Sequence, residues 1–172
     1  MQDTLPIHFA PLQGYTEAIY RNAHDAFFGG VDTYYTPFVR LEKGNFRRRD
    51  VRGIEPENNG VTHLIPQLIA SSAEKAEVIL SLFIEKGYQE VDINLGCPFP
   101  LLAKRHNGSG ILPYTEEVKA LLSIVTRYPQ ISFSVKMRLG WEQPDECLAL
   151  APILNDLPLR QITMHPRLGK QG

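Results

Sequence analysis

Strand-like stretches recur in this chain about every 30 residues, each followed by helical periodicity, and that alternation is the mark of βαβ units and a parallel sheet. The strand signals fall at residues 7–12 (IHFAPL), 32–39 (DTYYTPFV), 63–70 (HLIPQLIA), 91–98 (VDINLGCP), 131–139 (ISFSVKMRL) and 161–165 (QITMH). Pro66 cannot donate to a ladder and predicts a bulge or a strand end. Thr16 is placed to cap a first helix with Ile19, Ala23, Ala26 and Phe27 on its inward face, ended by Gly29 and Gly30. Ser71-Ser72-Ala73-Glu74 forms a capping box before Ala76, Ile79, Leu80 and Phe83. A helix from about Thr115 turns Val118, Leu121, Leu122 and Val125 inward, and residues 142–156 read as another, interrupted by Pro152. The basic run FRRRDVR, residues 46–52, is expected in a solvated loop, with RNA phosphate contact as the other reading; KRHNGSG, residues 104–110, is a second polar loop.

Right-handed crossovers place the carboxyl ends of these strands on one rim. The expected fold class is α/β, a TIM (β/α)8-type barrel represented here by about six βα units, because polar residues converge on that rim from several strands. An open doubly wound sheet is the alternative, yet the first turn, PLQG, lacks the GxGxxG of such sheets.

VDINLGCP is the most informative stretch. Val91 and Ile93 alternate with Asp92 and Asn94; the strand then breaks at Gly96, offers Cys97 on a turn and is stopped by Pro98. A thiol at the carboxyl end of a parallel strand stands where α/β proteins build sites, while a buried structural cysteine is the other reading. Lys136 and Arg138 share the polar face of a strand whose other face is apolar, and His165 and Arg167 close the last strand. Gln67 and Asn94 are amides on otherwise apolar strands, suited to a planar heterocycle or to each other.

With 172 residues, 43% of them hydrophobic, the chain can bury the core of one domain. A net charge of -1 provides no general attraction for nucleic acid, so such a partner needs a local basic patch. No apolar run approaches the roughly 18 residues that span a bilayer, and the amino terminus does not resemble a signal peptide, so a cytoplasmic protein without a membrane partner is expected. Cys97 and Cys147 form no CxxC and no Cys-His cluster of metal spacing, so no disulfide and no metal site are expected.

Taken together and in order, APLQGYTE (10–17), PQL (66–68), DINLGCP (92–98), NGSGIL (107–112), VKMRLGW (135–141) and HPRLGKQG (165–172) resemble the tRNA dihydrouridine synthases. The resemblance implies a TIM-barrel flavoenzyme that uses FMN, reduced by NADPH, to saturate the C5=C6 bond of a tRNA uridine. It implies that Pro11, Leu12 and Gln13 lie against the flavin, that Gln67, Lys136 and His165 bind it, and that Cys97 is the general acid. Asn94, Arg138 and Arg167 would face the uracil or the RNA backbone. A thiol with an ordinary pKa of about 8.5 is protonated at neutral pH and can supply a proton to C5.

The resemblance further implies two more strands, a flavin phosphate site and a carboxyl-terminal helical RNA-binding domain beyond this chain. Residues 1–172 are accordingly expected to form the amino-terminal portion of the catalytic barrel, with open sheet edges available for self-association. A truncated fragment that binds RNA or self-associates without catalysis is one alternative. A flavin dehydrogenase of dihydropyrimidine or dihydroorotate type is the other.

Overall fold

A computed structural model describes residues 5–171. The first four residues of the stretch read as unlike a signal peptide, and Gly172 at the end of the HPRLGKQG block, lie outside the described residues. The fold is mixed α/β with parallel sheets, in two compact units, Met1–Gln67 and Leu68–Gly172.

The first unit contains β1 (His8–Phe9), α1 (Ala18–Phe27), β2 (Thr33–Tyr35), the strands β3 (Leu41–Glu42) and β4 (Asn45–Phe46), α2 (Arg48–Ile54) and β5 (Leu64–Ile65). Aromatic and β-branched β2 is the centre of a parallel sheet in the order β1-β2-β5. The strands expected at 7–12, 32–39 and 63–70 are therefore shorter than their apolar runs. Pro66 separates β5 from the next strand, β6 (Gln67–Leu68), as a residue without an N–H must.

Three local expectations are corrected here. FRRRDVR is not a loop throughout: β4 ends in it and α2 begins at Arg48, with Arg47 ahead of the helix gripping Asp50 through Nε at 2.9 Å and Nη2 at 2.6 Å. Thr16 does not cap α1; its hydroxyl oxygen accepts the Leu12 N–H at 2.8 Å and closes the turn after β1. The expected inward face of α1 points outward, with Ile19 83% and Phe27 84% exposed, while Ala18 and Arg21 are buried. Arg21 decides that orientation, because a buried guanidinium needs acceptors, and it donates to the carbonyls of Thr16 at 2.6 Å and Gly53 at 2.8 Å and to Asn59 Oδ1 at 2.5 Å.

In the second unit the sheet order is β6-β7-β8-β9, with β7 (Glu90–Leu95), β8 (Ser132–Gly140) and β9 (Gln161–Leu168) parallel. The helices are α3 (Ala73–Glu85), the short α4 (Pro100–Ala103), α5 (Thr115–Leu122), α6 (Ile124–Arg127) and α7 (Glu146–Asn155). The cap of α3 is Ser72, one residue later than expected, and its hydroxyl accepts from the Lys75 N–H. Helix α7 starts later than expected because the Glu146 carboxylate accepts the N–H groups of Trp141, Glu142 and Gln143 and holds them in a turn. Ile79, Leu80 and Phe83 of α3, Val118, Leu121 and Leu122 of α5, and the strand residues Val91, Ile93, Phe133 and Val135 form a fully buried core, as their spacing predicts.

Phe83 is fully buried and its ring meets Tyr88 edge-on with centroids 6.3 Å apart. Phe83→Ala is expected to destabilise the chain by about 3–5 kcal/mol, read as a lowered urea midpoint at an unchanged slope.

Candidate functional site

Register determines the site in the second unit. Asn94 pairs with Lys136 and Lys136 with Thr163, while Arg138 pairs with His165. One row down, Asp92 pairs with Ser134 and Ser134 with Gln161. Because side chains alternate across a sheet, all of these polar residues share one face, and Val91, Ile93, Leu95, Phe133, Val135 and Met137 share the other. The polar face ends, at the carboxyl ends of the strands, beside the loop that carries Cys97.

That loop is held tightly. Asn94 Oδ1 accepts the N–H of Gly96 at 3.0 Å and of Cys97 at 2.8 Å, an Asx turn that converts strand into loop within two residues. The Cys97 carbonyl accepts both the backbone N–H and the hydroxyl of Ser109, each at 3.0 Å. Arg138, 7% exposed, donates from Nε to the Gly96 carbonyl at 3.0 Å and from Nη1 to the carbonyls of Leu168 at 2.7 Å and Gln171 at 3.0 Å. The side chain of Cys97 is half-buried.

Charge varies along this face. Asp92 is buried, and Ser134 donates to it at 2.5 Å. Burial pushes the Lys136 ammonium below its ordinary value, with nearby Asp92 opposing that shift and Arg138 adding to it. Burial also lowers Arg138, the Arg167 charge adds to the effect, and Cys97 counters it, which places the guanidinium within electrostatic reach of the sulfur. Burial lowers His165 too, reinforced by Arg138, Lys136 and Arg167. Four cationic or ionisable nitrogen groups therefore crowd the strand ends, which favours an anionic ligand there.

The second unit thus brings together Asn94, Cys97, Lys136, Arg138 and His165, with Arg167 exposed beyond them. Arg138 was expected to face uracil or RNA; the donors described above are spent on backbone carbonyls, so it acts as a clamp of the strand ends. The Oδ1 of Asn94 likewise holds the loop.

The first unit holds Pro11, Leu12, Gln13 and Gln67. Leu12 is exposed on the turn closed by Thr16. Gln13 has both amide atoms buried without a hydrogen-bond partner among the described residues, an orphaned donor and acceptor that suit a polar planar ligand. Gln67 is fully buried, with its N–H on Thr36 Oγ1 at 3.0 Å and its carbonyl on the Val39 N–H at 2.8 Å. Sequence reading missed Ser109 and Glu146 as supports of the loops at the strand ends; KRHNGSG read only as a polar loop.

The family model described as dihydrouridine synthase matches residues 8–172. The "Probable tRNA-dihydrouridine synthase 1" of Synechocystis sp. is 28% identical over 170 residues, covering 95% of this chain and 46% of the relative. The tRNA-dihydrouridine(16) synthase of Haemophilus ducreyi is 27% identical, covering 96% of this chain and 53% of the relative. The tRNA-dihydrouridine synthase B of Vibrio cholerae is 30% identical over 103 residues, 59% of this chain and 30% of the relative. The chain spans about half the length, or less, of these curated relatives.

His165 provides a direct check of the crowded charge. Its folded pKa lies below the ordinary 6.5, so as pH falls the unfolded chain takes up the proton first. Its contribution to stability is intact above about 6.5 and eroded below it. An NMR titration is expected to place the His165 midpoint below 6.5, and Arg167→Gln, which removes one repelling cation, is expected to raise it.

Proposed function

This chain belongs to the dihydrouridine synthase family, and on that premise we propose that it is the amino-terminal portion of a TIM-barrel enzyme that reduces the C5=C6 bond of uridine in tRNA. The observation that carries the proposal is the Cys97 loop, fixed through both its N–H and its carbonyl at a strand end crowded with Lys136, Arg138 and His165. On this reading the remaining strands and a helical RNA-binding domain belong to the rest of the protein, and the reaction takes place in the cytoplasm.

FMN, replenished by NADPH, supplies a hydride to C6 of the base when bound. The residues of this chain fit such a group. In the first unit Gln13 offers a buried donor and acceptor without partners among the described residues; in the second, Lys136 offers a half-buried cation. The family resemblance assigns Pro11, Leu12 and Gln67 in the first unit, and His165 in the second, to flavin binding as well. Burial lowers the Lys136 ammonium below its ordinary value, and the Asp92 carboxylate opposes that loss of charge.

Cys97 acts as general acid. Its Sγ–H delivers the proton to C5 on the face opposite hydride arrival, and the electrons of the S–H bond remain on sulfur as a thiolate. Arg138, which donates to the Gly96 carbonyl next to Cys97, stabilises the thiolate until solvent reprotonates it. Asn94 sets the turn that aims the thiol, and Arg167, exposed past the last strand, is available to the RNA backbone. The target uridine has to leave the folded tRNA to reach a strand end, at a cost of a few kcal/mol offset by stacking and pocket contacts.

In the whole protein, Cys97→Ala is expected to lower the single-turnover rate of uridine reduction in tRNA by about 100-fold or more, while the flavin absorbance of the preparation stays unchanged. Retained turnover in that variant would remove Cys97 from the chemistry.

A further inference from the structure

The Cys97 carbonyl receives one more donor than it needs to be satisfied. The backbone N–H of Ser109 already meets it at 3.0 Å, and the Ser109 hydroxyl meets it again at the same distance. The second bond gives the buried Ser109 hydroxyl its acceptor and adds a second direction from which the Cys97 carbonyl is held. Ser109 is fully buried.

Its neighbours leave it no room to move. Gly108 has φ +60°, and a Cβ there would fall 2.5 Å from the Cys97 carbonyl oxygen and 2.8 Å from the Cys97 Cβ. Only glycine allows the two backbones to approach this closely. Behind Ser109, a Cβ on Gly169 would fall 2.8 Å from the Ser109 hydroxyl and against the Trp141 ring. With Asn94 on its N–H and Ser109 on its carbonyl, the Cys97 backbone is held from both sides.

We propose that Ser109 is a positioning residue whose hydroxyl fixes the reach of the Cys97 thiol toward the reacting base. The proposal rests on the reading of Cys97 as proton donor, because proton delivery depends on distance and a displacement of about 1 Å can slow a reaction by up to about 100-fold. Its test needs no bound flavin, since Cys147 on α7 serves as an internal control.

The 172-residue chain and its Ser109→Ala variant are to be alkylated with iodoacetamide across a pH series, and each cysteine-containing peptide followed by mass spectrometry. Loss of one hydrogen bond is expected to raise the Cys97 rate roughly fivefold and to shift its pH profile, with the Cys147 rate unchanged. An unchanged Cys97 rate in Ser109→Ala would overturn the proposal. So would acceleration of both thiols together, which would make Ser109 a folding residue. In the whole protein, Ser109→Ala is expected to lower kcat about tenfold with KM and flavin content unchanged. Full uridine reduction by Cys97→Ala would defeat the acid assignment alone, whereas unaltered Cys97 reactivity in Ser109→Ala would defeat the positioning role alone.

Discussion

The buried guanidinium of Arg138 is the interaction on which the carboxyl end of the second unit depends. A cation withdrawn from water has to be met by acceptors, and Arg138 meets carbonyls of the loop after β7 and of the end of β9 from its own position on β8. Three adjacent strands are thereby tied at the level where each stops being a strand. Loss of that side chain would leave several carbonyls to find other donors, and the Cys97 loop would lose its link to β9. The Asx turn at Asn94 and the Ser109 hydroxyl act on the same loop from other directions. The thiol therefore sits on a segment whose backbone is determined by side chains from the strands and by the turn beyond α4.

How much of this was legible in the sequence follows from which physical signals are local. Period-two alternation in DINL and SFSVKMRL names the two faces of a strand without reference to anything else, so the polar row of Asn94, Lys136 and Arg138 was readable, as were the core positions of α3 and α5. The orientation of α1 was not readable. Its apolar stripe is real, yet the buried side is chosen by Arg21, whose acceptors at Gly53 and Asn59 are distant in sequence. The start of α7 was missed for a related reason. Glu146 reaches back to three N–H groups, and a carboxylate used in this way has the same one-letter signature as one left in solvent. Arg138 was legible as an inward-facing cation, but its backbone partners were not, because a sequence does not show which carbonyls meet a guanidinium.

The same distinction separates the glycines. Gly108 stands where neither a side chain nor an ordinary φ could be accommodated, and its requirement comes from Cys97, a residue in a different loop. NGSG therefore looks like any flexible polar loop when read alone, and becomes a constraint only once the strand end lies against it. Close approach of two backbones is a tertiary fact with no local periodicity to announce it.

Charge along the polar face completes the picture of why a site forms at one end of these strands and not the other. Asp92 lies deep, bonded to Ser134, and it opposes the loss of charge that burial imposes on Lys136 one row above. Further toward the carboxyl ends, Arg138 is met by backbone carbonyls, and burial pushes Arg138 and His165 down, with neighbouring cations adding to the shift. The result is a row that is negative at its base and increasingly positive at its mouth. Mutual repulsion among those cations is relieved by any anion that enters. That relief gives the arrangement a preference for negative charge at its mouth that no single residue in it possesses.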